Sequence, residues 1–175
     1  FLKAANRKAC GEMNDSKQFA EDRREELYAV ILGLAERGEL FWASGESSIE
    51  EIETENIVGA TCLAMKRAMD GASGMSKGLW SPEPKSEDDL FSTIGSSKED
   101  KRWVTRVDGR PMKKLPYEHR GLVKGDTISL AVAMSSLIAK VTRDRMMREF
   151  AEEFPAYDFA SNKGYGAPNH LKALK

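Results

Sequence analysis

Along the chain, apolar positions fall into short periodic runs separated by polar breaks. Between residues 21 and 36, Leu27, Val30, Ile31 and Leu34 recur at helical spacing with charges between them, and Gly38 follows as a stop, which predicts an amphipathic helix. ELFWAS then reads as a short strand. Ser48, with Glu51 three residues on, has the form of a capping box, so a second helix is expected to start there. From 56 to 69 it continues with Ile57, Ala60, Ala64 and Ala68 along one side, small residues that let a helix lie close to a sheet. Residues 70–102 turn rich in Ser, Gly, Pro and acid, the composition of a long mobile insertion within one domain. RWVTRVDG alternates in the strand manner and ends at Asp108 and Gly109, putting a carboxylate where a strand yields to a loop. Past Asp126 a long helix is expected, with Ala131, Ala133, Ser135, Ser136 and Ala139 allowing deep burial. Strands alternating with helices predict an α/β fold, a sheet with helices on its faces.

Composition narrows the class. With 175 residues, 41% hydrophobic and 31% charged, the chain has the make-up of one soluble domain, 1–175. No apolar run approaches the roughly 20 residues a bilayer requires, so no membrane role is expected. Cys10 and Cys62 lack CxxC spacing and suit two thiols in a reducing compartment rather than a zinc site. The first residue is Phe1 and the last are HLKALK, where a helix has barely begun, so a fragment of a longer chain is expected. Net charge is only -1 but uneven: residues 101–148 hold twelve Lys and Arg against four Asp and Glu, a local +8. Residues 36–56 carry -6 and 83–100 carry -4. A basic segment in a neutral chain suits a polyanion-binding face or, equally, a solvated surface.

Two constellations carry candidate chemistry. Asp126 lies 18 residues after Asp108, and a short strand through Leu122 and Val123 would bring the two together. Facing carboxylates repel unless a cation sits between them, and Mg²⁺ or Mn²⁺ with oxygen ligands is the usual answer. The other reading is that both are turn residues beside glycines. Ser136, Lys140 and Arg143 follow at i, i+4 and i+7, placing a hydroxyl and two cations along one helix face, as a phosphate backbone requires. Alternatively Lys140 pairs with Asp144 at i+4.

The blocks NDSKQF, SSIEEIETENIVGATCLAMKRAM, VDG, LVKGD, AMSSLIAKVTRDRMM, FPAYDF and NKGYG, in this order, resemble bacterial-type ribonuclease HII across nearly the whole chain except 70–102. The resemblance implies a ribonuclease H-like mixed sheet flanked by helices, here truncated at the N-terminus. It implies an endoribonuclease that cuts the RNA strand of RNA/DNA hybrids and incises 5′ to ribonucleotides embedded in duplex DNA. Its VDG and KGD acids fall on Asp108 and Asp126, implied catalytic metal ligands for Mg²⁺ or Mn²⁺ in a two-metal hydrolysis. Its stacking tyrosine falls on Tyr165, which by itself also reads as a turn residue between two glycines. Ser16, Lys17, Ser136, Lys140 and Arg143 fall on positions that contact the nucleic-acid backbone. A monomeric, cytoplasmic enzyme of ribonucleotide excision repair is implied, or an organelle enzyme if the source is eukaryotic.

The departures define the alternative. The family's other two metal ligands open a DEAGRG block ahead of NDSK, and neither that block nor the C-terminal HR-S-F region occurs here. Asn162 stands where the family usually has His, Ala167 where it has a capping Thr, and Ala20 where a capping Ser is frequent. A catalytically inactive nucleic-acid-binding remnant is therefore the second expectation. A Mg²⁺-dependent phosphatase of the haloacid dehalogenase type would need a nucleophilic DxD near its start, which the chain lacks.

Overall fold

The computed structural model describes residues 10–85 and 103–175. A 3-10 turn at Ser16–Gln18 leads into helices α1 (Glu21–Glu36) and α2 (Ile49–Met75). Strands β1 (Arg106–Asp108) and β2 (Arg120–Leu122), helix α3 (Gly125–Ile128) and the long helix α4 (Leu130–Glu153) follow. A second 3-10 turn at Pro155–Tyr157 and the short helices α5 (Phe159–Asn162) and α6 (Pro168–Ala173) end the chain.

Helix α1 buries Leu27, Tyr28, Ile31 and Leu34, the stripe its periodicity predicts, with Tyr28 in place of the half-buried Val30. Ala20 supplies no side-chain cap, and Glu21 and Asp22 oppose the positive end of the helix instead. Gly38 ends it by taking φ +69, which lets its N–H reach the Ala35 carbonyl at 2.9 Å. The buried stripe packs on Ala133, Leu137, Ile138 and Val141 of α4, with Cys10 and Met13 completing the main core. Each fully buried large side chain contributes about 1.5–3 kcal/mol. Arg145 on Glu25, at 2.5 Å, and Arg148 on Glu21 and Glu25 bind the rim of the same pair of helices.

Helix α2 opens with the expected capping box: the Ser48 hydroxyl accepts from the Glu51 N–H at 3.2 Å, and the Glu51 carboxylate accepts from the Ser48 N–H at 2.9 Å. It breaks at Asn56, whose φ is 58, and Asn56 recaps the continuation by accepting from the Val58 and Gly59 N–H groups. Residues 70–75, placed by the sequence in the loop, extend this helix; the remainder of that insertion from 86 to 102 lies outside the described residues.

ELFWAS does not form a strand. Residues 40–48 run without regular structure along the small-residue side of α2, so closely that a Cβ on Gly45 would stand 2.1 Å from the Ala64 carbonyl oxygen. The strand expected over 102–109 is shorter, and it pairs in parallel with β2 in the register Arg106↔Arg120, Val107↔Gly121, Asp108↔Leu122. The crossover 109–119 is pinned by His119, whose Nε2 accepts from the Met112 N–H at 2.9 Å, while Nδ1 lies 2.6 Å from the Tyr117 carbonyl. Beneath it Val107, Leu115 and Cys62 form a second, smaller core. The expected single helix after Asp126 is divided, because Ser129 is extended between α3 and α4. This is a mixed α/β architecture, and among the described residues no helix is long and apolar enough to cross a membrane.

Candidate functional site

Asp108 ends β1, and its Oδ1 accepts the Gly125 N–H at 2.8 Å. The parallel register brings this about: Asp108 pairs with Leu122, and Lys124 in the left-handed region turns the chain back so that Gly125 faces the carboxylate. Position 125 is crowded, since a Cβ there would stand 3.0 Å from Val132 Cγ1 and 3.2 Å from Asp108 Oδ1. Asp126 is therefore presented in the first turn of α3, one residue from the amide that Asp108 holds. The structure brings the two predicted acids to one end of the sheet. Among the described residues no group of three His, Cys, Asp or Glu side chains could enclose a metal. Two hard carboxylate groups fit one hydrated divalent cation that draws its other ligands from water or phosphate oxygen.

The basic face is assembled from three parts of the chain. Ser136 of α4 lies with its hydroxyl 3.1 Å from that of Ser16, on the first 3-10 turn. Lys17, next along that turn, is exposed, and its backbone N–H is held by the Asp15 side chain at 3.0 Å. Lys140 Nζ and the Arg143 guanidinium stand 5.9 and 5.8 Å from the centre of the Tyr165 ring. Arg143 also donates to the Lys163 carbonyl at 3.2 Å, joining α4 to the turn that carries the tyrosine. Tyr165 does sit in a turn, bonded through its backbone to Asn162 and Ala167, yet its side chain is 59% exposed and flanked by two cations. The helical pairing of Lys140 with Asp144 also exists, at 2.6 Å. Lys140 thus has both an acid partner on its own helix and an aromatic ring beside its ammonium.

A cleft of about 750 Å³ links the two constellations: its walls include Asp108 on one side and Ser136 and Arg143 of α4 on another. The small face of α2, through Ala64 and Ala68, forms part of its floor. Asp108 and part of the basic face thus open onto one space, so that a carboxylate, a hydroxyl and a guanidinium share a single cleft. Asp144, Arg24, Asn162 and Lys163, all at or behind this face, were not singled out by sequence as site residues. The i, i+4 spacing of Lys140 and Asp144 hinted at one of them, and Asn162 drew notice only as a departure from the family's His.

A family model described as Ribonuclease HII matches residues 100–175. A ribonuclease HII of Fusobacterium nucleatum is 36% identical over 165 residues, covering 94% of this chain and 64% of the relative. One from Xanthomonas campestris is 36% identical over 164 residues, covering 93% and 56%. One from Ehrlichia ruminantium is 31% identical over 174 residues, covering 99% and 68%. The chain spans less than two thirds of the length of the first two relatives.

Proposed function

The chain belongs to the ribonuclease HII family, and from that premise we propose that it is the core of an endoribonuclease acting on the RNA strand of RNA/DNA hybrids and 5′ to single ribonucleotides in duplex DNA. The observation that carries this reading is the exposed Tyr165 ring with Lys140 and Arg143 5.9 and 5.8 Å from its centre, Arg143 sharing a cleft with Asp108. Ring and cations suit different parts of one strand. The ring offers a stacking surface worth about 1–3 kcal/mol per base by analogy with other platforms. Lys140 and Arg143 meet phosphates, and the paired hydroxyls of Ser16 and Ser136, with Lys17 beside them, add hydrogen bonds to the backbone.

Asp108 and Asp126 would hold Mg²⁺ or Mn²⁺, which when bound supplies Lewis acidity for activating water and steadying the leaving oxygen, in two-metal form where further acids join them. The chain's own part is to orient: the Gly125 N–H fixes one oxygen of Asp108, and α3 fixes Asp126 beside it. A monomer acting in the cytoplasm on ribonucleotides misplaced in DNA follows from this reading. The second reading, a binding remnant without catalysis, rests on there being no third acid beside the pair among the described residues.

The test common to both is hybrid binding by residues 1–175, followed by fluorescence anisotropy across a salt series. Lys140→Ala and Arg143→Ala are each expected to weaken binding to all sequences and to lower the salt slope by about one unit. A slope unchanged in both variants would remove this face from the interface.

A further inference from the structure

Two cations from different elements converge on one buried acid. Asp144 is 2% exposed. Its Oδ1 accepts from Lys140 Nζ at 2.6 Å, and its Oδ2 accepts from Arg24 Nη2 at 3.1 Å. Removing either partner would leave the buried carboxylate one cation short in the interior. The partners lead to opposite parts of the candidate interface. Lys140 lies one turn back along α4, with its ammonium 5.9 Å from the Tyr165 ring centre. Arg24 spends its other nitrogen, Nη1, on the Phe19 carbonyl. Phe19 closes the 3-10 turn that carries Ser16 and Lys17, and Ser16 meets Ser136 of α4.

Resting on the nucleic-acid reading above, we infer that Asp144 is the positioning residue of this interface, holding Lys140 beside Tyr165 and tying the Ser16 turn to α4 through Arg24. It touches no substrate. Its charge by itself opposes the proposed ligand, because a carboxylate near a phosphate backbone repels it. That opposition gives the inference a sign. If Asp144 only dilutes the positive face, neutralising it tightens binding and steepens the salt dependence. If it positions Lys140, neutralising it weakens binding and flattens the salt dependence, because the ammonium no longer sits where the phosphate needs it.

The experiment measures the affinity of residues 1–175 for a short RNA/DNA hybrid across a salt series, with circular dichroism and urea unfolding as checks on the fold. Asp144→Asn is expected to weaken binding about 3- to 10-fold and to lower the salt slope by about one unit, as Lys140→Ala does. The double variant is expected to bind within about 2-fold of Lys140→Ala alone, since both substitutions remove one contact. A merely structural residue would give additive losses. Should Asp144→Asn fail to fold, Asp144→Glu decides: it keeps the charge but displaces the ammonium by a methylene, and about 3-fold weaker binding is expected. Tighter or unchanged binding in whichever variant folds, beside a weakened Lys140→Ala, overturns the positioning role alone. Unchanged binding in Lys140→Ala overturns this inference by removing Lys140 from the interface; the interface reading falls with it when Arg143→Ala is unchanged as well.

Discussion

Asn162 shows how much one buried amide can hold. It is 8% exposed; its Nδ2 donates to the Tyr157 carbonyl at 2.7 Å and its Oδ1 accepts the Gly164 N–H at 2.8 Å, so it spans the turn that presents Tyr165. Lys163 and Gly164 within that turn both have positive φ, at 51 and 78, and the amide keeps the strained segment closed. Asn162→Ala removes both bonds at once. It is expected to cost about 1–3 kcal/mol in urea unfolding and to weaken hybrid binding through a displaced Tyr165, and a variant with parent stability would show that the turn closes without it. Asp108 poses the opposite case, where charge matters more than shape. Asp108→Asn keeps an oxygen for the Gly125 N–H but loses the anionic donor a divalent cation needs. In a cleavage-competent form of the protein it is expected to abolish metal-dependent incision while hybrid binding stays nearly intact; retained incision on a denaturing gel would remove Asp108 from the metal site.

Helix α2 carries its pH dependence at its first turn. Glu51 caps the Ser48 N–H and also takes both guanidinium nitrogens of Arg67, at 2.7 and 2.5 Å. The Arg67 hydrogen bonds, with the Ser48 backbone bond after them, hold its carboxyl down at about 2 from the ordinary 4.5. A carboxyl lowered in the folded state stabilises that state fully above its ordinary value, and the contribution fades as pH falls from 4.5 through about 2. Glu51→Gln is therefore expected to flatten the fall of the thermal midpoint across that window; an identical pH profile in parent and variant would assign the fall to other acids. The capping box was legible in the sequence because a Ser with a Glu three residues on has a fixed geometry once a helix follows. ELFWAS was not, because alternation marks a half-buried extended chain whether or not a neighbouring strand pairs with it. Here Gly45 presses the segment onto Ala64 of α2, and the described residues include no strand to pair with it. The break at Ser129 was equally hidden, since it follows from the turn that delivers Gly125 to Asp108, a contact 17 positions apart in sequence.

At the scale of the molecule, the spacing of Ser136, Lys140 and Arg143 was readable as a helical repeat and the two acids as strand-end and turn residues, whereas the opening of Asp108, Ser136 and Arg143 onto one cleft depends on how α2, β1 and α4 pack. Arg24 illustrates the limit: on α1 it is one charged residue among several, and only the docking of α1 on α4 aims it at Asp144, 120 positions away. The same packing fixes what chemistry the described residues can do together. Asp108 and Asp126 stand at one end of a two-stranded sheet, and among the described residues no third acid joins their cluster. A hydrated Mg²⁺ prefers six oxygen ligands and sheds water reluctantly, so two carboxylates retain it weakly and lack the donors to bridge a second ion. Hydrolysis in which one ion prepares the water and another steadies the leaving oxygen needs that bridge. The basic face carries no such requirement, so binding and incision should separate. Residues 1–175 are expected to bind a labelled duplex containing one ribonucleotide yet leave it uncut in Mg²⁺ or Mn²⁺, with chelated metal as the control on a denaturing gel. Adding a segment that bears the family's DEAGRG acids ahead of the chain is expected to confer metal-dependent incision on the 5′ side of the ribonucleotide. Incision by residues 1–175 alone would mean that two acids, with water and the substrate's own phosphate oxygens, are enough to assemble the working site.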